Sequence, residues 1–334
     1  MLDVVTPGST FGVGSLPHLG AGQAAQFSFD AFDIATMPNL PRRSRAEEPE
    51  VQALVGVRGI TVGRHGEVDV DCGLLDPDAP VVTDLDRASF VSARRFLDEG
   101  TRRGYTGPVK WQQLGPVSLG LRLIRAGAAT DVAFDVALAA VRQRLAALAA
   151  AVSGAMPASP QLVVLDEPFL DAMTRPDFPI APDHAIDLLS GAMAELEPRS
   201  TIGLHSCAPH TLPILLAAGP HVVSVPLRNC TTASSGYIER FLAGGGWIAW
   251  GSVSTTGPIG VGQPRGWQRL STTFCELVQA GCDAGRLRAQ CLITPECGLS
   301  GHGNGAAHQV VEALRQTSLS MQSESSTARY VLGA

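Results

Sequence analysis

Short apolar runs alternate with longer amphipathic stretches along most of this chain. Gln161-Leu-Val-Val-Leu165 and His221-Val-Val-Ser-Val225 are runs of the length of a buried strand, as are Ser200-Thr-Ile-Gly-Leu204, Gly246-Trp-Ile-Ala-Trp250 and Gln290-Cys-Leu-Ile-Thr294. Gly107-Pro-Val-Lys-Trp-Gln-Gln-Leu-Gly-Pro116 reads as another strand, closed by a Gly-Pro turn. Between and beyond these strands, helical periodicity covers 20–32, 88–100, 130–152, 183–196, 211–218, 236–243, 264–280 and 305–319. Strands that alternate with helices of this length predict a parallel sheet joined by right-handed crossovers.

Six strands fall from residue 107 onward, residues 9–14 offer a seventh, and 79–84 is the candidate for an eighth. That count and length predict an α/β fold of the (β/α)8 TIM-barrel type, a single domain over 1–320. A loose alternation over 57–71, centred on Gly63-Arg-His-Gly66, predicts a β-hairpin inserted into it. The chain closes on a polar tail, 321–334.

In barrels of this kind, chemistry collects where strands end. Asp166, Glu167, His205, Cys207 and Cys297 all fall at such ends, as do Ser15 and the Gly115-Pro116 turn. His205 and Cys207 stand two apart at the end of a strand, so an imidazole and a thiol point to one face. With Cys297 from a later strand end they form a set suited to zinc, which takes nitrogen and sulfur ligands. Gly12 and Gly14 lie in a turn after the first strand, but the spacing is not that of a phosphate-binding loop.

Composition narrows the field further. The formal charge of −6, with no basic stretch, argues against nucleic acid as a partner. The most apolar long stretch, 132–152, is broken by Asp135, Arg142 and Arg144, so no membrane span is expected. No signal peptide is evident, and seven scattered cysteines fit reduced thiols in a cytoplasm better than a disulfide framework. Lysine occurs once, as Lys110, beside many arginines.

Five short motifs then carry a resemblance. Gly12-Val-Gly-Ser-Leu-Pro17, Leu114-Gly-Pro-Val-Ser-Leu119, Leu165-Asp-Glu-Pro168, Leu204-His-Ser-Cys207 and Pro295-Glu-Cys-Gly-Leu299 lie in the order of the motifs of the C-terminal catalytic barrel of cobalamin-independent methionine synthase. The chain resembles that family, within the superfamily that also holds uroporphyrinogen decarboxylase. The resemblance implies a zinc ion held by His205, Cys207 and Cys297. It also implies that Gly14, Ser15, Asp166 and Glu167 hold the amino-acid end of homocysteine, with Asp166 in the catalytic role. The implied activity is transfer of a methyl group to the homocysteine thiol, from methyltetrahydrofolate or a methyl-corrinoid. Transfer to another thiol, decarboxylation of a porphyrinogen and a non-catalytic zinc-binding role are the competing readings.

Three departures from the family pattern stand out. The chain length leaves no room for the family's second, N-terminal barrel. Pro226 occupies the position of the family's fourth zinc ligand, a glutamate, with Cys230 a nearby alternative. The stretch Trp250-Gly-Ser-Val-Ser-Thr-Thr256 lacks the family's acidic residue and histidine. An open site of three protein ligands is the expected form.

Overall fold

The computed structural model describes residues 2–197, 199–255 and 266–332, with side chains described except at 174 and 324–332. Its centre is a curled parallel sheet of seven strands: β1 (Ala35–Thr36), β4 (Val109–Leu114), β5 (Gln161–Asp166), β6 (Thr201–His205), β7 (Val222–Pro226), β8 (Trp247–Val253) and β9 (Cys291–Pro295), paired in that order. The remaining two, β2 (Ile60–Val62) and β3 (Val68–Val70), pair antiparallel as a separate hairpin. The helices are α1 (Ala21–Ala31), α2 (Pro49–Leu54), α3 (Val91–Arg103), α4 (Pro116–Arg125), α5 (Thr130–Ala155) and α6 (Pro182–Met193) in the first part of the chain. The second part adds α7 (Leu212–Ala217), α8 (Ser235–Ala243), α9 (Gly266–Gln279), α10 (Ala284–Ala289) and α11 (Asn304–Leu332). The helix α11 runs on through the polar stretch that begins at 321. The expected start of α9 at 264 lies outside the described residues.

All six strands expected from residue 107 onward are present. The front of the sheet differs from expectation. Residues 79–84 form no strand, and the neighbour of β4 is instead the two-residue β1. A strand that short has no periodicity to read. Residues 9–14 are not a regular strand either, yet they lie along the gap between the two edges of the sheet. Phe11 N donates to Ile293 O (3.2 Å) and Ile293 N to Ser9 O (3.0 Å) on the β9 side. On the β1 side Ile34 N donates to Thr10 O (3.0 Å).

The strands of the seven-stranded sheet are buried on both faces, as expected where helices cover a parallel sheet. Side chains alternate between two cores. The larger lies outside, between sheet and helices, and takes Val109, Trp111, Val163, Leu165, Ile202 and Leu204. The smaller lies inside the curl and takes Phe11, Ile34, Leu162, Val164, Val222, Ala249 and Leu292. At the strand ends of the same inner face the side chains turn polar, with Asp166, His205 and Ser224 in register, while Lys110 lies level with Leu162.

Among the described helices, α5 is long and apolar enough to cross a membrane by length and composition alone. Its Ala133, Phe134, Ala137 and Val141 are buried, and the helix packs on α3, α4 and α6.

The turn from β5 anchors the next layer. Glu167 is fully buried, and its two oxygens accept from the backbone N–H of Val117 (3.0 Å) and Ser118 (2.7 Å). It thereby caps α4, whose first residue is Pro116, a residue suited to that position. Burial nevertheless pushes its carboxyl up to about 7, against the hydrogen bonds from Ser118 and Val117. A folded pKa above the unfolded value means the native state holds the extra proton. Its contribution to stability is therefore full below about pH 4.5 and is lost as the pH rises to about 7. Glu167→Gln is expected to remove a fall of about 3 kcal/mol across that window. Denaturant titrations of both proteins at several pH values check this; parallel pH profiles would refute it.

Candidate active site at the strand ends

The register of the sheet assembles the site. Asp166 pairs with His205, and His205 with Ser224, across adjacent strands. All three share the inner face, so carboxylate, imidazole and hydroxyl form one row. The His205 Nδ1 lies 3.0 Å from Ser224 Oγ, which fixes the ring. Its Nε2 is buried and has no hydrogen-bond partner.

Cys207 and Cys297 arrive from the loops after β6 and β9, and their sulfurs are 3.3 Å apart. Both are partly buried and neither is in a disulfide. The Cys207 thiol, then the His205 imidazole, holds the Cys297 thiol far below its ordinary range. That same contact, with burial, pushes the Cys207 thiol up. The chemistry of these donors fits zinc: two sulfurs in contact, and an imidazole whose free nitrogen is unsatisfied while the other is held by a hydroxyl. As they stand, no three His, Cys, Asp or Glu side chains among the described residues have the mutual spacing of a formed metal site.

Gly14 and Ser15 form one wall. Gly14 has φ +139°, and a Cβ there would lie 2.4 Å from the Gln112 amide, so the turn sits directly on β4. Ser15 O accepts from Leu299 N at 2.8 Å, and a Cβ on Gly298 would lie 2.0 Å from Ser15 Oγ. Absence of a side chain at Gly298 is thus what lets the Ser15 hydroxyl stand against the backbone of the Cys297–Leu299 turn.

The two carboxylates after β5 part ways. Glu167 is engaged by α4 as described above. Asp166 faces the curl, and its Oδ1 is buried without a hydrogen-bond partner. Burial pushes its carboxyl up, against the pull of Lys110 and His205.

Several polar residues at this end of the sheet escaped the sequence reading. Glu296 is 2% exposed and accepts from Arg228 Nη1 (2.5 Å), Arg269 Nη2 (2.5 Å) and Ser254 Oγ (3.2 Å). His302 Nε2 lies 2.8 Å from Thr255 O. An acid and a histidine thus do come to the end of β8, but from the loop after β9; Thr256 lies outside the described residues. Only Glu296, next to Cys297 in the motif, carried any signal in the sequence. Cys230 belongs to the outer core, 5% exposed, its Sγ 3.9 Å from Pro226 O. Burial pushes its thiol up to about 12.

No family model matches this chain, and no curated protein matches it in sequence. Solved structures do match in fold. A B12-independent methionine synthase from Shewanella sp. W3-18-1, in complex with selenomethionine, superposes with a TM-score of 0.61 at 15% identity, covering 96% of this chain and 99% of that one. A methyltransferase from Methanosarcina mazei superposes with a TM-score of 0.61 at 16% identity, covering 95% and 94%. At such identities the likeness is one of fold, and the fold is the one found in methionine synthase-like methyltransferases.

Proposed function

We propose that this chain is a zinc-dependent methyltransferase of the methionine synthase type, which moves a methyl group to the thiol of homocysteine. The observation that carries the reading is the convergence of Asp166, His205, Cys207 and Cys297 at one end of a parallel sheet. In this reading residues 9–11 serve as the eighth stave of a (β/α)8 barrel. His205, Cys207 and Cys297 would hold zinc, which, when bound, keeps a substrate thiol in its nucleophilic thiolate form at neutral pH.

The chain's own residues do the rest. The unpartnered oxygen of Asp166 receives the substrate ammonium. The Ser15 hydroxyl and the Gly14 backbone hold the substrate's carboxylate. Ser224 keeps the His205 ring in place, and the inner apolar core beneath excludes water. With Cys230 packed into the outer core, the site has three protein ligands, leaving room for the incoming thiol. The donor is methyltetrahydrofolate or a methyl-corrinoid. The leaving nitrogen of a folate needs a proton, and His302 is the imidazole nearest to hand at the end of β8. The engagement of Glu296 by two arginines favours the corrinoid, whose methyl leaves without an acid.

The purified chain is expected to carry about one zinc, and His205→Ala or Cys297→Ser to lose it without unfolding. Metal analysis with circular dichroism checks this; full zinc retention in both variants would sink the site. Asp166→Asn should weaken homocysteine binding by about 2 kcal/mol or more while zinc content stays level. Calorimetry with homocysteine decides it, and unaltered affinity would make this carboxylate structural. The reaction itself is tested by methyl transfer to homocysteine from a panel of folate and corrinoid donors. Transfer from none of them would leave the non-catalytic zinc-binding reading.

A further inference from the structure

Cys207 and Cys297 stand on two separate loops, after β6 and after β9, yet their sulfurs are 3.3 Å apart with no disulfide to join them. Something must hold the loops in that relation. The strand between them in the sheet order, β7, runs at Pro226 into the 3-10 turn Leu227–Asn229. Two side chains of that turn reach back to the loop after β6. Arg228 Nη2 donates to Cys207 O (3.4 Å), and Asn229 Nδ2 to Ala208 O (2.7 Å). Arg228 also reaches the other loop, where Nη1 donates to Glu296 Oε2 at 2.5 Å. Glu296 is the residue before Cys297 and is itself tied to β8, its N–H donating to Val253 O (2.9 Å).

Charge balance does not account for this arrangement. Arg269 Nη2 already meets the other oxygen of Glu296 at 2.5 Å, and its Nη1 donates to Ser252 O, so one guanidinium from α9 answers the carboxylate. The second guanidinium, on the half-exposed Arg228, is explained by where its fork leads. Its two terminal nitrogens address acceptors on two chain segments, in a plane that fixes the distance between them. A metal ion that needs both thiols gains from loops already ordered, because ordering them on binding costs free energy.

We propose that Arg228 is a positioning residue: it clasps the loop of Cys207 to the loop of Glu296 and Cys297, and so holds the two thiols together before a metal arrives. This rests on the zinc reading for what the pair binds, though not for the clasp itself.

The test uses the full chain and two variants. Arg228→Met removes the fork and the charge, while Arg269 still answers Glu296. Arg228→Lys keeps the charge but has no fork to span two acceptors. Competition with a chromophoric chelator is expected to show zinc affinity about ten-fold or more weaker in both variants. The second measurement needs no metal. A phenylarsine oxide condenses with two neighbouring thiols, forming two As–S bonds and releasing one water, with arsenic staying trivalent. In the metal-free wild type this capture is expected to have a fast phase that disappears in Cys207→Ser and slows markedly in both arginine variants. Their denaturation midpoints are expected to stay at the wild-type value; a merely structural role would lower the midpoints and leave capture by the folded chain level. Wild-type capture in Arg228→Met, or in Arg228→Lys alone, would overturn the clasp, the latter by showing that charge suffices. So would a wild type captured no faster than Cys207→Ser. If the wild type binds no zinc, the zinc reading fails and the capture experiment alone decides the clasp.

Discussion

The alternation of side chains along the parallel strands is the constraint on which this structure depends. Successive residues of a strand point to opposite faces, so every strand feeds two separate cores. Leu162 and Val164 go inward and Val163 and Leu165 outward, and β6 and β7 follow the same rule in register. A slip of one residue would move Asp166 into the helical layer and Leu165 into the site. The row of carboxylate, imidazole and hydroxyl has one contact among its members, His205 Nδ1 with Ser224 Oγ, which orients the ring but does not set where the row lies. It is placed by the apolar residues below, which fix where each strand sits.

Above that apolar plug the interior holds charges that would be costly if left unanswered. Each has its own solution. Glu167 takes two backbone donors at a helix start, and Glu296 takes two guanidinium groups. Arg144, in the middle of α5, is 1% exposed and is met by the carbonyl of Val55 and the face of Phe90. Lys110 donates to the carbonyl of Val13 and the amide oxygen of Gln112. Buried polar atoms without partners occur at several places, among them Ser28 Oγ, Arg144 Nε and Trp250 Nε1, but two of them, Asp166 Oδ1 and His205 Nε2, stand on adjacent strand ends. Buried polar atoms in folded proteins are usually paired, and these two share one inner face where a ligand would complete both.

Much of this was legible in the chain itself. The later strands are apolar runs bounded by turns, and their ends coincide with His205, Cys207, Cys297 and Asp166, so both the sheet and the sulfur–nitrogen cluster could be read. The front of the sheet could not. β1 is two residues long and has no periodicity to read, and residues 9–11, within the strand expected at 9–14, reach the sheet through a few hydrogen bonds without regular pairing. The other expected strand, 79–84, is tied instead to Gln143 of α5 and to Gly56. The part played by Glu167 needed coordinates too, because a carboxylate after a strand looks the same whether it meets a ligand or caps a helix fifty positions earlier in the chain. His302 was invisible for a related reason: it serves a strand end that belongs to a different loop.

The burial of Lys110 leaves the described surface with positive charge on guanidinium groups and no side-chain amine at all. Reagents and enzymes that acylate lysine meet nothing on the folded chain except by way of its α-amino group. The one ε-amine becomes available only when the strands part, since it lies beneath the turn at Val13 and within the ring of β1, β4 and β5. Acylation at that residue would therefore count openings of the sheet, turning a point of internal electrostatics into a chemical clock for its breathing.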